Sequence, residues 1–322
     1  MNPTVVIAYQ DLGDDFAIER QALAQLNAKI TCTYGDLSSP AALAVAKEAD
    51  AVLVTLQRVS SDVLDAMPRV RVVGRAGTGL DTIDLAAATA RGVWVTYVPD
   101  YGVDEVSTHA ISLLLAQARN IVSLVNSTRQ GQWSSNGGRI IHRLKGQTLG
   151  VIGFGRIGQA AAEKGKGLGL NVIVYDPFLN EEAVTRLGAR AVDLDTLARE
   201  SDYITLHTPL LDSTHQIINA GFLAKMKPTA YLVNTARGPL VDEAALLEAV
   251  RAGKIAGAAL DVLNEEPVNP DNPLLHEERI LITPHSAWYS EEAKRDMRQR
   301  CVEDVVRVLR GERPHRPANQ LS

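Results

Sequence analysis

The sequence predicts an α/β protein in which parallel sheets are covered by helices on both faces, and three observations carry that expectation. Short β-branched runs, "TVVIAY", "AVLVT", "VRVVG" and "VWVTYV", alternate with longer amphipathic stretches in the N-terminal part. The alternation resumes further on with "TLGVIGF", "NVIVYD", "YITLHTP", "AYLVN", "AGAALDV" and "ILITPH". Unbroken apolar runs of this kind mark strands buried on both faces, which is what helical crossovers between parallel strands produce. The third observation is length, since 322 residues exceed what one small core organises and make two domains the natural expectation.

Taken in order, the elements break pattern once. After "YVPD", residues 104–131 ("DEVSTHAISLLLAQARNIVSLVNSTRQG") read as one long helix with apolar positions at helical spacing. The glycine-rich "SSNGGRIIHRLKGQ" follows, and the strand pattern restarts at Thr148, which places a domain boundary in this region. A second long helix is expected from about Ser290 to Leu309, before the polar "GERPHRPANQLS". There is no internal repeat of fixed period and no low-complexity tract.

Composition narrows the function classes. With 38 acidic residues against 33 basic ones and a net charge of -5, a general nucleic-acid or anionic-membrane binder is disfavoured, although a local basic pocket is compatible. No apolar run reaches the roughly 18 to 20 residues of a membrane span. The start "MNPTVVIAYQDLGDD" lacks the basic and then apolar layout of a signal peptide, so a cytoplasmic location is expected. Cys32 and Cys301 lie far apart, which argues for neither a disulfide framework nor a metal site.

The strongest local signal is "TLGVIGFGRIGQAAAEKGKGLGLNVIVYD". Gly153, Gly155 and Gly158 form GxGxxG between a strand and a helix, and Asp176 ends the next strand, 18 residues after Gly158. Gly153 permits the tight turn, Gly155 lets backbone amides approach a pyrophosphate, and Gly158 lets the helix pack close to the strand with its N-terminus toward the phosphates. Asp176 would accept hydrogen bonds from the adenosine ribose hydroxyls and repel a 2'-phosphate, which favours NAD over NADP. Arg156 beside the motif does not by itself argue for NADP, because its side chain can face solvent beside the pyrophosphate.

A nicotinamide cofactor calls for a proton donor near a carbonyl oxygen and a group that fixes the substrate. Three residues follow strands, where ligands of open parallel sheets bind: Arg237 in "LVNTARGPL", Glu266 in "ALDVLNEEP" and His285 in "ILITPHSAW". A guanidinium can hold a carboxylate with two hydrogen bonds. A carboxylate on the far ring nitrogen of a histidine would orient the imidazole and favour its protonated form. Each residue has a structural alternative as a capping arginine, a solvated glutamate or a loop histidine, and only their convergence argues for chemistry. Of the other histidines, His109 lies mid-helix and His142 in the glycine-rich connection, while His207 follows a strand where it would shape the cofactor cleft.

The chain resembles the D-isomer-specific, NAD-dependent 2-hydroxyacid dehydrogenase family. The resemblance spans nearly its whole length, through "VVGRAGTGLDTIDLAAATARGV", "TLGVIGFGRIGQ", "HTPLLDSTHQIIN", "LVNTARGPLVDEAALLEAV", "AGAALDVLNEEP" and "TPHSAW". It implies two Rossmann-like, doubly wound parallel-sheet domains, one flavodoxin-like and one dinucleotide-binding. The cofactor domain (100–287) would be inserted into the substrate domain (1–99 and 288–322), with substrate in the cleft between them. Arg237 would anchor the substrate, His285 would donate the proton during reduction, and Glu266 would assist it. "GRAGTG" would cradle the substrate carboxylate, and a glycine-flanked turn can indeed aim the amides of Ala76, Gly77 and Thr78 into an anion nest, with Arg75 adding charge. Phe154 and Ile157 of the glycine motif, His207, Thr208, Pro209 and Thr214 after the next strand, and Thr235, Ala236 and Asp261 are implied as further cofactor-binding positions. The long helix and the connection up to Lys145 resemble the family's dimerisation arm, implying a homodimer.

One departure concerns Trp288, three residues after His285, where many members carry small residues. It is either a core residue or an apolar wall of the substrate cleft. The tail "HSAWYSEEAKRDMRQRCVEDVVRVLRGERP" resembles the C-terminal binding protein branch, whose members include transcriptional corepressors that use NAD(H) partly as a structural ligand. An NAD(H)-sensing interaction protein is therefore the alternative to a metabolic dehydrogenase acting on a small 2-hydroxy or 2-oxo acid. A complete catalytic set and the lack of a long disordered extension favour the enzyme. "ARGVWVTYVPD" also resembles a phosphite-oxidising relative. No ligand cluster suggests a metal.

Overall fold

The computed structural model describes residues 2–9, 15–135 and 139–321. Residues 10–14 and residues 136–138 of the glycine-rich connection lie outside them. The chain divides into two compact units, Met1–Tyr101 with Ser290–Ser322, and Gly102–Tyr289.

The first unit begins with β1 (Thr4–Ala8), α1 (Ala17–Ala24), β2 (Lys29–Cys32), α2 (Pro40–Ala46), β3 (Ala51–Val54), α3 (Ser61–Asp65), β4 (Val72–Arg75), α4 (Leu85–Ala90) and β5 (Trp94–Thr96). Its five strands are parallel in the order β2-β1-β3-β4-β5, the order of a flavodoxin-like doubly wound sheet. Period-two alternation sends Val6, Ala8, Val52, Val54, Val73 and Val95 to one face, where they pack with Ala42, Val63, Leu64 and Ala88 of α2, α3 and α4.

The second unit comprises α5 (Val103–Ala118), α6 (Ile121–Arg129), β6 (Thr148–Ile152), α7 (Arg156–Gly167), β7 (Asn171–Tyr175), α8 (Glu181–Leu187), β8 (Arg190–Ala191), α9 (Leu194–Glu200), β9 (Tyr203–Leu206), α10 (Ala220–Leu223), β10 (Tyr231–Asn234), α11 (Glu243–Arg251), β11 (Gly257–Leu260) and β12 (Ile280–Ile282). Its seven strands are parallel in the order β12-β11-β10-β9-β6-β7-β8. The winding reverses between β6 and β9, and that switch point opens a crevice at the carboxyl ends of the strands. One face of the sheet packs Ile204, Leu206, Leu232 and Leu260 against α9, α10 and α11. The other packs Leu149, Val151, Val174 and Val233 against α5, α7 and α8.

The chain then returns to the first unit as α12 (Glu291–Leu309), with Ser290 Oγ capping its N-terminus by accepting the Ala293 amide at 2.9 Å. A Cβ at Gly74 would stand 2.7 Å from Val305 Cγ2 and 3.1 Å from Cys301 Sγ, so α12 lies directly on β4. Among the described residues, no helix is long and apolar enough to cross a membrane.

Two expectations about the elements are corrected. The segment expected to be one helix over residues 104–131 is α5 and α6, broken at Asn120, which sits at φ 53°. Asparagine is one of the few side chains that enters the left-handed region at low cost, and one such residue ends a helix. The strands β2 and β8 were not expected, because "KITC" and "RA" are short, partly exposed edge segments without a buried run.

Candidate active site

The glycine turn closes β6 of the second unit. Gly153 adopts φ +88°, and a Cβ there would lie 2.6 Å from the His207 carbonyl carbon, so the turns after β6 and β9 touch through backbone. A Cβ at Gly158 would stand 2.0 Å from Gly153 O, which seats α7 against the turn. Gly155 caps α7, and a Cβ there would meet nothing within 4 Å, leaving open the approach to the helix N-terminus. Phe154 is buried, whereas Arg156 is exposed and Ile157 partly so. Asp176, just beyond β7, accepts the Phe154 amide at 2.7 Å and the Phe178 amide at 2.8 Å, which fixes its carboxylate beside the turn.

After β9, the His207 amide donates to Ile152 O at 2.7 Å, and its Nε2 lies 3.0 Å from Thr205 Oγ1. Although His207 is only partly buried as a residue, burial of its imidazole drives the pKa down to about 3, so the ring is neutral. Thr208 and Pro209 follow at the crevice, while the Thr214 hydroxyl closes its own loop, donating to Pro209 O at 2.7 Å and accepting the Leu211 amide at 2.8 Å.

At the end of β10, the fully buried Asn234 bridges the next turn: its Nδ2 donates to Arg237 O at 2.7 Å and its Oδ1 accepts the Ala236 amide at 3.0 Å. Arg237 Nη1 donates to Ala236 O at 2.7 Å. Gly238 is required by close approach, since a Cβ there would lie 2.1 Å from the Leu263 carbonyl carbon. The Arg237 turn therefore abuts the loop that follows β11. Thr235 Oγ1 is buried without a hydrogen-bond partner among the described residues.

His285 and Glu266 meet. His285 Nδ1 lies 2.6 Å from Glu266 Oε2, while Glu266 Oε1 accepts the Leu263 amide at 2.9 Å. With Nδ1 engaged, Nε2 is the nitrogen able to exchange a proton with a substrate. His285 occupies φ 52°, a left-handed conformation that costs a non-glycine residue roughly 1–2 kcal/mol. Its turn is held by Asp261, which is 1% exposed. Asp261 O accepts the His285 amide at 2.8 Å, Oδ1 accepts the Thr283 hydroxyl at 2.5 Å and the Ser286 amide at 3.0 Å, and Oδ2 accepts the Ala287 amide at 2.9 Å. Burial raises the pKa of this carboxyl, but bonds from His109, Thr283 and the two amides outweigh it and hold the group below its ordinary value. The Asp261 carboxylate thus organises the 283–287 turn. His109 approaches the same group from α5, with Nε2 3.1 Å from Thr283 Oγ1 and 3.5 Å from Asp261 Oδ1.

Trp288 is partly buried, its ring edge-on to Tyr289 with centroids 5.6 Å apart. In the first unit, the turn after β4 differs in detail from the anion nest expected there. The Ala76 amide is taken up by Val54 O at 2.8 Å, extending the ladder, which leaves the amides of Gly77 (φ +144°) and Thr78. Arg75 is buried, and its guanidinium donates to Gly79 O and Ala76 O, so it braces the turn from within. The Thr78 hydroxyl donates to Val98 O at 3.0 Å.

Sequence reasoning overlooked Asn234 and Thr283 and gave His109 at most a supporting role. The available signal for the first two was a polar side chain at the end of an apolar run, three residues before Arg237 and two before His285.

Comparison with known proteins bears on what this arrangement does. Residues 111–287 match the family model described as D-isomer specific 2-hydroxyacid dehydrogenase, NAD binding domain. The D-3-phosphoglycerate dehydrogenase of Archaeoglobus fulgidus is 43% identical over 81% of this chain and 50% of its own length. The chain thus spans about half the length of the phosphoglycerate dehydrogenases it matches. The glyoxylate reductase of Korarchaeum cryptofilum is 38% identical over 85% of this chain and 84% of its own. Among solved structures, D-lactate dehydrogenase from Aquifex aeolicus, complexed with NAD and lactic acid, is similar with a TM-score of 0.83 and 30% identity, covering 95% of this chain and 96% of that one.

Proposed function

Because the chain belongs to the D-isomer-specific 2-hydroxyacid dehydrogenase family, we propose that it interconverts a small D-2-hydroxy acid and its 2-oxo acid with NAD(H). The observation that carries the proposal is the 2.6 Å contact between His285 and Glu266 at the carboxyl edge of the cofactor sheet. NAD is the family's cofactor, and the second unit fits it: the space beside Gly155 admits a pyrophosphate, the unpartnered Thr235 hydroxyl awaits a polar group, and Asp176 stands beside the turn. When bound, it supplies the hydride for reduction or accepts it in oxidation.

The chain's own residues have separate tasks. His285 delivers the Nε2 proton to the carbonyl oxygen, and Glu266 stabilises the charged imidazole and holds the ring in place. The Arg237 fork holds the carboxylate and carbonyl oxygen of the 2-oxo acid. In the first unit, the Gly77 and Thr78 amides form an anion nest suited to a carboxylate. Trp288 supplies apolar surface for a substituent beyond the 2-oxo group. Glyoxylate, phosphohydroxypyruvate and pyruvate head the candidate substrates, in keeping with relatives named glyoxylate reductase, D-3-phosphoglycerate dehydrogenase and D-lactate dehydrogenase, and hydroxypyruvate belongs to the same chemical class.

We further propose a homodimer through α6 and the segment after it, where Ile121, Val122 and Val125 stand exposed with Trp133 (93%) and Ile140 (81%). Val122→Glu with Val125→Glu should then yield a monomer by light scattering; an unchanged mass would move the interface elsewhere.

The deciding assay is NADH oxidation against a panel of 2-oxo acids, with NADPH and the His285→Ala variant alongside. Turnover of one acid, lost in the variant and weak with NADPH, is expected. Tight NADH binding with no acid reduced above the variant's background would sink the dehydrogenase reading and leave an NAD(H)-sensing interaction protein.

A further inference from the structure

We propose that His109 is a positioning residue for the acid/base, acting on His285 through Thr283 and Asp261. The inference deepens the dehydrogenase reading and rests on it for its kinetic consequence. Hydrogen bookkeeping sets the direction of the chain. The Thr283 hydroxyl has one proton, directed at Asp261 Oδ1 2.5 Å away. It can therefore meet His109 Nε2, at 3.1 Å, only as an acceptor, and His109 must carry a proton on that nitrogen. The shorter route of donation runs from His109 to Thr283 to Asp261, whose Oδ1 also lies 3.5 Å from His109 Nε2. Asp261 then receives the Ser286 and Ala287 amides on its two oxygens and the His285 amide on its carbonyl. Those three amides belong to the turn that keeps His285 at φ 52° and presents Nδ1 to Glu266.

Without a donor on its outer side, the Thr283 hydroxyl loses the bond that fixes its rotation from that side, and one of the contacts that orient the Asp261 carboxylate becomes looser. The Ser286 and Ala287 amides then hold a less well-oriented acceptor, and the left-handed turn loses part of what offsets its strain. The His109 side chain is not needed to keep α5 in place. Eight residues further along the helix, Gln117 Nε2 donates to Ala258 O and to Arg279 O, anchoring α5 to the same sheet.

The test compares His109→Ala, Thr283→Val, which keeps the volume but removes the hydroxyl, and His109→Gln, whose amide nitrogen can replace Nε2 as donor. Two readouts are taken. In 15N-histidine-labelled protein, the imidazole resonances of His285, assigned by their loss in His285→Ala, report its bond to Glu266. They should shift or broaden in His109→Ala and Thr283→Val and stay at their native positions in His109→Gln. On whichever 2-oxo acid the native protein reduces, kcat should fall by about tenfold in the first two variants, with NADH affinity unchanged, and recover in His109→Gln. The double variant His109→Ala/Thr283→Val should lose no more than the worse single variant, because both interrupt one chain. Native His285 resonances in both single variants, or additive losses in the double variant, would overturn the proposal. Should the native protein reduce no 2-oxo acid, the functional reading fails while the resonances still decide the positioning role.

Discussion

Arg237 emerges from β10 already partly committed, with Nη1 on Ala236 O and its own carbonyl held by the buried Asn234. A guanidinium restrained in this way is held in a fixed fork geometry, whereas an ammonium would offer charge without that geometry. Arg237→Lys is therefore expected to lower kcat/KM for the 2-oxo acid by more than about tenfold while NADH affinity holds; steady-state kinetics with an NADH titration will show whether it does. His207 supplies a second prediction. Its folded pKa, about 3, lies below the 6.5 of a free imidazole, so the unfolded chain binds the proton first. Stability should accordingly fall as pH drops from about 6.5 toward 3. His207→Asn should flatten that part of the profile in urea melts, and an unchanged slope would show that the ring does not resist protonation.

At the scale of an element, α7 depends on glycines for two different reasons. Gly158 is a packing glycine, its missing Cβ leaving room for Gly153 O, whereas Gly155 faces open space. Gly158→Ala should push α7 away from β6, lowering both the melting temperature and NADH affinity. Gly155→Ala should leave the melting temperature near native and weaken NADH alone, because its methyl would enter the space proposed for the pyrophosphate. Equal loss of stability in the two variants would contradict this division. Calorimetry paired with fluorescence titration separates the cases.

At the scale of the whole molecule, the ends of the chain meet in one unit. Arg298 of α12 and Glu19 of α1 form an ion pair that is almost wholly inaccessible, with Nε 2.8 Å from Oε1 and the guanidinium also bonded to Oε2. The Arg298 guanidinium carbon lies 5.9 Å from the centre of the Phe16 ring. Removing the Glu19 carboxylate takes an ion-pair partner from a buried guanidinium, so Glu19→Ala should destabilise the first unit by up to about 3–5 kcal/mol in its urea transition. Glu19→Leu combined with Arg298→Met should restore most of that loss, since it removes both charges and keeps the volume. A Glu19→Ala transition at the native midpoint would refute the assignment.

What the sequence determined by itself is whatever neighbouring residues encode. Buried parallel strands show as unbroken apolar runs, and "GFGRIG" shows as a turn because its glycines serve local backbone geometry and close contact. Arg237, Glu266 and His285 could be nominated because each follows a strand. The break between α5 and α6 was missed because a single left-handed asparagine does not disturb helical periodicity, and β2 and β8 were missed because edge strands need no apolar run. Only the tertiary structure decided that Glu266 Oε2 reaches His285 Nδ1, since that contact requires β11 and β12 to be neighbours and their loops to fold back on one another. The same holds for Asp261, whose aspartate looks alike in sequence whether it contacts a cofactor or organises a turn. Its hold on the 283–287 turn shows only in its burial and in the donors around it, which packing brings together across the sheet.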